Sequence, residues 1–246
     1  MRKKLRGAAI VLCLVLILFS GVQLYRYWQE SLQSEAVYIQ LSQAVQLPQS
    51  DLAEEENVSW PEVDFPALWE TSPQIVGWLT CEGTQIHYPV VQGEDNEYYL
   101  THLPDSSYNP GGSLFLDYRS AADFSDAHSV IYGHYMKNGT MFGELTGYKE
   151  QAFYDAHPQM LLVTPQGRFT VELFSGYVAS VEENAWVLGF STPEEWEQWL
   201  DETKKRSVFQ SEVHPSVQDR VLTLSTCSYE FENARFVVHG ILKQAG

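Results

Sequence analysis

Between Arg6 and Arg26 lie 19 residues without a charge, GAAIVLCLVLILFSGVQLY. A run of that length is close to the roughly 20 residues an α-helix needs to cross the hydrocarbon core of a bilayer. Arg2, Lys3, Lys4 and Arg6 precede it, so the positive-inside rule places the short N-terminus in the cytoplasm and the rest outside. A cleaved signal peptide shares a basic start and an apolar middle. Here the apolar stretch runs on into QLYRYWQ without an A-x-A-like site, which favours an anchor that stays. Tyr25, Tyr27 and Trp28 fit an aromatic belt at the membrane surface.

The rest of the 246-residue chain must fold in water. Residues 1–29 hold five basic groups and no acid, leaving ten basic against 32 acidic residues, a net charge of −22. Such a surface repels nucleic-acid phosphates, and no nucleic-acid partner is expected. An apolar content of 44% is enough for a sizeable core. Cys13 falls in the apolar run, so Cys81 and Cys227 are the only cysteines outside it. Two are too few for a disulfide scaffold. They allow either one bond or an exported enzyme with a free thiol.

Residues 29–50 are compatible with a helix, and 51–62 are acidic and then reach Pro61, the pattern of a stalk, part of which can pack on the domain. From Phe65 onward the pattern changes to short alternating strands and short helical pieces. A helix is expected over 65–73, a hairpin turn at Glu82-Gly83, and strands at GGSLFLDYR and HSVIYGH. Helical pieces follow across 141–158, then strand, turn and strand across 160–181. The clearest helix begins at Thr192, with Pro193 in its first turn and Glu194 and Glu195 at the positive end of its dipole. Trp196, Trp199 and Leu200 share one of its faces, which must bury against the sheet. RVLTLSTC and RFVVHGILK close the pattern as two strands. Many short strands with interspersed helices predict a mixed β-barrel. The boundaries read from these changes are 1–28 for tip and span, 29–64 for the stalk, and 65–246 for the barrel domain.

Three residues stand out chemically. Cys227 ends a strand whose period of two places it with Ser225 and Thr223, opposite Leu222 and Leu224. A cysteine among hydroxyl residues at a strand end is placed for access, although free cysteines are also common core fillers. Arg235 follows after seven intervening residues, so a strand-loop-strand unit brings both to one end of the sheet. A guanidinium cannot act as a base, but it can donate to a developing oxyanion. His134 lies 93 positions before Cys227 and closes VIYGH; imidazole is the natural proton carrier near neutral pH. His239 reads as a packed strand residue with a satisfied ring. His128 and His134 are six apart with no supporting cluster, so no metal is expected. P-loop, G-x-S-x-G, H-E-x-x-H and C-x-x-C patterns are absent.

Taken in order, IVGWLTCEGTQIHYPVVQGEDNEYYLTH (75–102), GGSLFLDYR (111–119), VIYGHYMKNGTMFGEL (130–145) and TLSTCSYEFENARFVVHG (223–240) resemble the class B sortases of Gram-positive bacteria. The last segment matches that family's T-L-x-T-C signature with a downstream arginine. The resemblance spans roughly residues 65–243 and implies an eight-stranded sortase barrel with extra helices, one of them, at 192–207, between the sixth and seventh strands. It implies a membrane-anchored cysteine transpeptidase needing no cofactor. Cys227 would be the nucleophile, His134 the general acid and base, and Arg235 the oxyanion stabiliser, with Thr226 and Ser225 as substrate contacts. The implied partners are exported proteins with a C-terminal sorting motif and an amine acceptor on a peptidoglycan peptide or a pilin. Cys81 departs from the aliphatic residue usual at its position and reads as a core substitute. A hydrolytic cysteine peptidase and a non-catalytic peptide-binding module are the alternatives. The former is disfavoured by the arginine partner and by histidine preceding cysteine in the chain.

Overall fold

The computed structural model describes residues 2–47 and 60–245, with side chains from residue 10 onward. The acid run at 54–56 therefore lies outside the described residues. Helix α1 (Arg2–Ser42) is continuous over 41 residues, about 60 Å at 1.5 Å per residue. It is the one helix among the described residues long and apolar enough to cross a bilayer. Ile10 to Phe19 leave their large apolar side chains open on every side, as a helix surrounded by lipid does.

The other end of α1 docks. Leu41 and Val45 are buried beside Phe65, Leu68, Ile75, Trp78 and Tyr99 on the outer face of the barrel. Val45–Gln46 (β1) pairs antiparallel with Glu62–Val63 (β2). The C-terminal end of α1 and the residues just after it are thus packed against the barrel. Asp64 caps α2 (Phe65–Thr71), accepting from the Ala67 amide at 3.1 Å, with Pro66 in the first turn.

Eight strands close the barrel: β3 (Ile75–Thr80), β4 (His87–Gln92), β5 (Leu114–Leu116), β6 (His128–Tyr132), β7 (Gln159–Thr164), β8 (Gly167–Ser180), β9 (Arg220–Cys227) and β10 (Ala234–Gln244). Around the barrel they run β10-β8-β7-β3-β4-β5-β6-β9. The hairpin between β3 and β4 turns through Gly83 at φ +77°, where a side chain would be strained and would meet the His157 ring. Alternation sorts the residues of β9. Leu222 and Leu224 enter the interior with Phe236, Val238, Leu79 and Leu162, while Val221 faces outward under Trp196, Trp199 and Leu200 of α4 (Pro193–Lys205), the helix that follows the short α3 (Gln151–Ala156). Thr192 caps α4 by accepting from the Glu195 amide at 3.2 Å. Helix α4 joins the sixth barrel strand to the seventh, where the class B pattern requires it.

Cys81 is a core residue, 1% exposed, with its Sγ 3.5 Å from the Tyr148 hydroxyl. Burial pushes its thiol pKa up, away from reactivity. Cys81 and Cys227 are both free, so the one bond the cysteine count allowed is not formed.

Two parallel pairings decide where the functional residues meet. Strands β4 and β5 run parallel, and so do β6 and β9; the other barrel pairs are antiparallel. A parallel β6–β9 pair puts the C-terminal ends of both strands on one rim, and antiparallel β10 starts from that same rim.

Candidate active site

His134 leaves the end of β6 through Gly133, whose amide donates to the Ser225 carbonyl at 3.1 Å and extends the parallel pairing with β9. A Cβ on Gly133 would lie 2.4 Å from a Leu114 methyl and 2.6 Å from the Phe142 ring. Glycine is what lets the chain pass this close and lift His134 onto the rim. The His134 Nε2 lies 2.6 Å from the Leu100 carbonyl. A carbonyl only accepts, so Nε2 carries the proton and Nδ1 is the nitrogen left for exchange. The His134 carbonyl is held in turn by the Phe142 amide at 3.1 Å.

Cys227 ends β9, half-buried, directly opposite Arg235 in the β9–β10 register. The rim thus gathers the thiol, the imidazole and the guanidinium. Arg235 donates from Nη1 to the Ala234 carbonyl at 3.0 Å, one of the five N–H donors it has.

Electrostatics couple the first two. Interaction with the His134 imidazole lowers the Cys227 thiol pKa against the opposing effect of burial, and the Arg235 charge lowers it further. The same interaction raises the His134 pKa, with the Leu100 bond adding to it and burial opposing. Free groups at about 8.5 and 6.5 would both be uncharged at neutral pH; this site moves them toward each other and so favours the thiolate–imidazolium pair. Alkylation of Cys227 followed against pH is expected to show a midpoint below that of a free thiol. The midpoint should rise in His134→Asn; an unmoved midpoint would break the coupling argument.

Beside the thiol lies a pocket of about 260 Å³ lined by Tyr135, Thr146, Lys149, Tyr229 and Glu230. Tyr135 and Tyr229, both lining it, meet edge to face with centroids 5.5 Å apart. Glu230 is ion-paired with Lys149 and bonded to Ser228, which hold its carboxyl at about 2.

Ser225 and Thr226 are 3% and 2% exposed. The Ser225 hydroxyl accepts from the Trp186 indole at 3.1 Å. Thr226 pairs with Phe236 on the interior-facing side of β9, and its hydroxyl has no partner among the described residues. Neither hydroxyl stands open on the rim beside the thiol.

His128 and His239 sit together beneath α4, bridged by Thr223, whose Oγ1 is 2.6 Å from His128 Nε2 and 2.7 Å from His239 Nδ1. His128 Nδ1 donates to the Val187 carbonyl at 2.5 Å. Burial lowers both rings, His128 to about 4, so both are neutral packing residues. The His239 ring is only half satisfied, since its Nε2 has no partner among the described residues. Among the described residues no group of His, Cys, Asp or Glu is arranged to hold a metal ion.

The sortase domain family model matches residues 79–243. Sortase B of Staphylococcus aureus (strain NCTC 8325 / PS 47) is 32% identical over 240 residues, 97% of this chain and 96% of that protein. Sortase B of Listeria monocytogenes serovar 1/2a (strain ATCC BAA-679 / EGD-e) is 37% identical over 177 residues, 71% of this chain and 72% of that protein. A crystal structure of the S. aureus enzyme superposes with a TM-score of 0.71 at 33% identity, over 74% of this chain and 87% of that one. A Bacillus anthracis protein similar to sortase B superposes with a TM-score of 0.75 at 28% identity, over 87% and 97%. The sortase match covers most of the barrel, including the rim that carries Cys227, His134 and Arg235. The chain belongs to the sortase family, among the class B enzymes, and is a cysteine transpeptidase.

Proposed function

We propose that Cys227 is the nucleophile of this transpeptidase, His134 its proton carrier and Arg235 its oxyanion stabiliser. The observation that supports the assignment is the parallel β6–β9 seam, which brings His134 and Cys227 to one rim, where the imidazole lowers the thiol pKa. The Cys227 thiolate attacks the carbonyl carbon of the scissile peptide bond. Charge gathers on the carbonyl oxygen, where the remaining Arg235 N–H groups can donate. His134 gives its Nδ1 proton to the leaving amine, the C–N bond breaks, and a thioester to Cys227 remains. An incoming amine then attacks the thioester carbonyl, His134 takes its proton, and the thiolate leaves as the new amide forms.

The substrates we propose are exported proteins with a C-terminal sorting motif, joined to an amine of a peptidoglycan peptide or a pilin. Sortase B of S. aureus has been solved as a substrate complex. A sortase B has also been solved in complex with triglycine, which offers a terminal amine, the chemistry of such an acceptor. We further propose a single-pass topology, with residues 1–28 as cytoplasmic tip and span, 29–64 as the connecting segment and 65–246 as the extracellular catalytic domain. The uncharged run, its basic flank and the docked outer end of α1 support it. Ser225 and Thr226, being buried, act by shaping β9 rather than by touching the substrate.

The test is ligation. The full chain in detergent micelles, given a panel of fluorescent sorting-motif peptides and triglycine, should yield an amide-linked product by mass spectrometry. Cleavage that never becomes ligation at saturating triglycine would count against an amine acceptor of this kind.

A further inference from the structure

We propose that Tyr38, on the helix that carries the membrane span, is a positioning residue for His134. The inference rests on the reading of His134 as the proton carrier and adds a part the family signature does not contain.

Two separate routes lead from this one side chain to His134. The first ends on the imidazole. The Tyr38 hydroxyl donates to the Gly112 carbonyl at 3.0 Å. Gly112 has φ +59°, and a Cβ there would lie 2.5 Å from the Tyr99 oxygen and 2.7 Å from the Leu100 oxygen. The backbone at 112 therefore passes close to the carbonyl that accepts from His134 Nε2, and the next amide, Ser113, donates to the Tyr99 carbonyl at 3.0 Å. The second route ends on the main chain. The Tyr38 ring packs edge-on against Tyr88, centroids 5.1 Å apart at 76°. The Tyr88 hydroxyl accepts from the Met141 amide at 3.2 Å. Met141 sits at φ +55°, and the next amide, Phe142, donates to the His134 carbonyl.

Neither route passes through Cys227 or Arg235, so Tyr38 acts on the histidine alone. The same loop is pinned to α1 lower down, where the Asn109 side-chain amide donates to the Glu30 carbonyl at 2.7 Å. Burial pushes the Tyr38 phenol pKa up, so it stays protonated and remains a donor. Misplacing a proton carrier by a fraction of an ångström slows chemistry far more than it weakens substrate binding. A side chain that only glued α1 to the barrel would change melting temperature and leave the imidazole where it is.

The experiment uses the full chain in micelles. Tyr38→Phe removes the donor and keeps the ring against Tyr88. It is expected to lower kcat about tenfold with KM within about twofold. The His134 ring, followed by NMR with labelled histidine in a Cys227→Ala background, is then expected to titrate at lower pH than in Cys227→Ala alone. The sign follows from the Leu100 bond, which holds the proton on Nε2 and raises the pKa; loosening it releases that proton more easily. Cys227 is absent in this background, which leaves Arg235 as the charged group acting on the ring in both samples. Tyr38→Leu, which removes both routes, should have the larger effect on each readout. An unchanged kcat and titration in Tyr38→Phe overturns the proposal, as does a lowered melting temperature with an unmoved titration. If His134→Ala turns over like wild type, the catalytic reading fails instead, and the titration still shows whether Tyr38 holds the ring.

Discussion

Cys227→Ala is expected to abolish both cleavage and ligation of a sorting-motif peptide, a fall on the order of 10⁶-fold in kcat, the scale for loss of a covalent nucleophile. The size follows from the chemistry, since without the thiol there is no thioester and no acyl group to pass to an amine. The fold should survive. Cys227 ends its strand half-buried, outside the core clusters that contain Leu222 and Leu224, and alanine keeps the backbone pairing with Arg235. A thermal melt within a few degrees of wild type, beside peptide turnover followed by mass spectrometry, checks both halves. Turnover within about a hundredfold of wild type would remove Cys227 from the mechanism.

His134→Ala is the second large effect, about 10²- to 10⁴-fold in kcat, the usual contribution of a positioned acid and base. Two consequences make it specific. The thiol loses the partner that chiefly lowers its pKa, so the pH at which Cys227 is alkylated should move up. Added imidazole should restore part of the rate by entering the space the side chain left. Arg235 cannot substitute, because a guanidinium does not release its proton in this range. A variant with full turnover and an unmoved alkylation midpoint would refute the assignment.

Much of this was legible in the residues. The alternation of 221–227 placed Cys227 with Ser225 and Thr223 and opposite the leucines, and the barrel sorts Leu222 and Leu224 inward. The cap at Thr192 and the shared face of Trp196, Trp199 and Leu200 are local signals, and helix α4 forms with that face buried. What the residues alone could not supply is the meeting of His134 with Cys227, because 93 positions separate them and only the parallel β6–β9 pairing joins them. The resemblance supplied that link. The orientation of the imidazole stayed hidden for another reason: its acceptor is the Leu100 backbone carbonyl, and a main-chain group leaves no mark in the side-chain alphabet. That part of the segment before the barrel can pack on the domain was readable, but not that Leu41 and Val45 are the residues that dock, since an acidic run and a proline nearby look like a spacer whatever lies beside them. His239 shows the limit of inferring satisfaction from burial, as one of its nitrogens is bonded and the other has no partner among the described residues.

The seam between β6 and β9 also gives the molecule a readout of its own folding. Pairing strands so far apart in sequence carries a loop-closure cost and belongs to the slow, non-local part of barrel assembly. Until those strands join, imidazole and thiol are far apart, and Cys227 behaves as an ordinary cysteine. The reactivity of one thiol thus depends on barrel closure, so pulsed alkylation during refolding, read at Cys227 by mass spectrometry, would time the joining of β6 to β9.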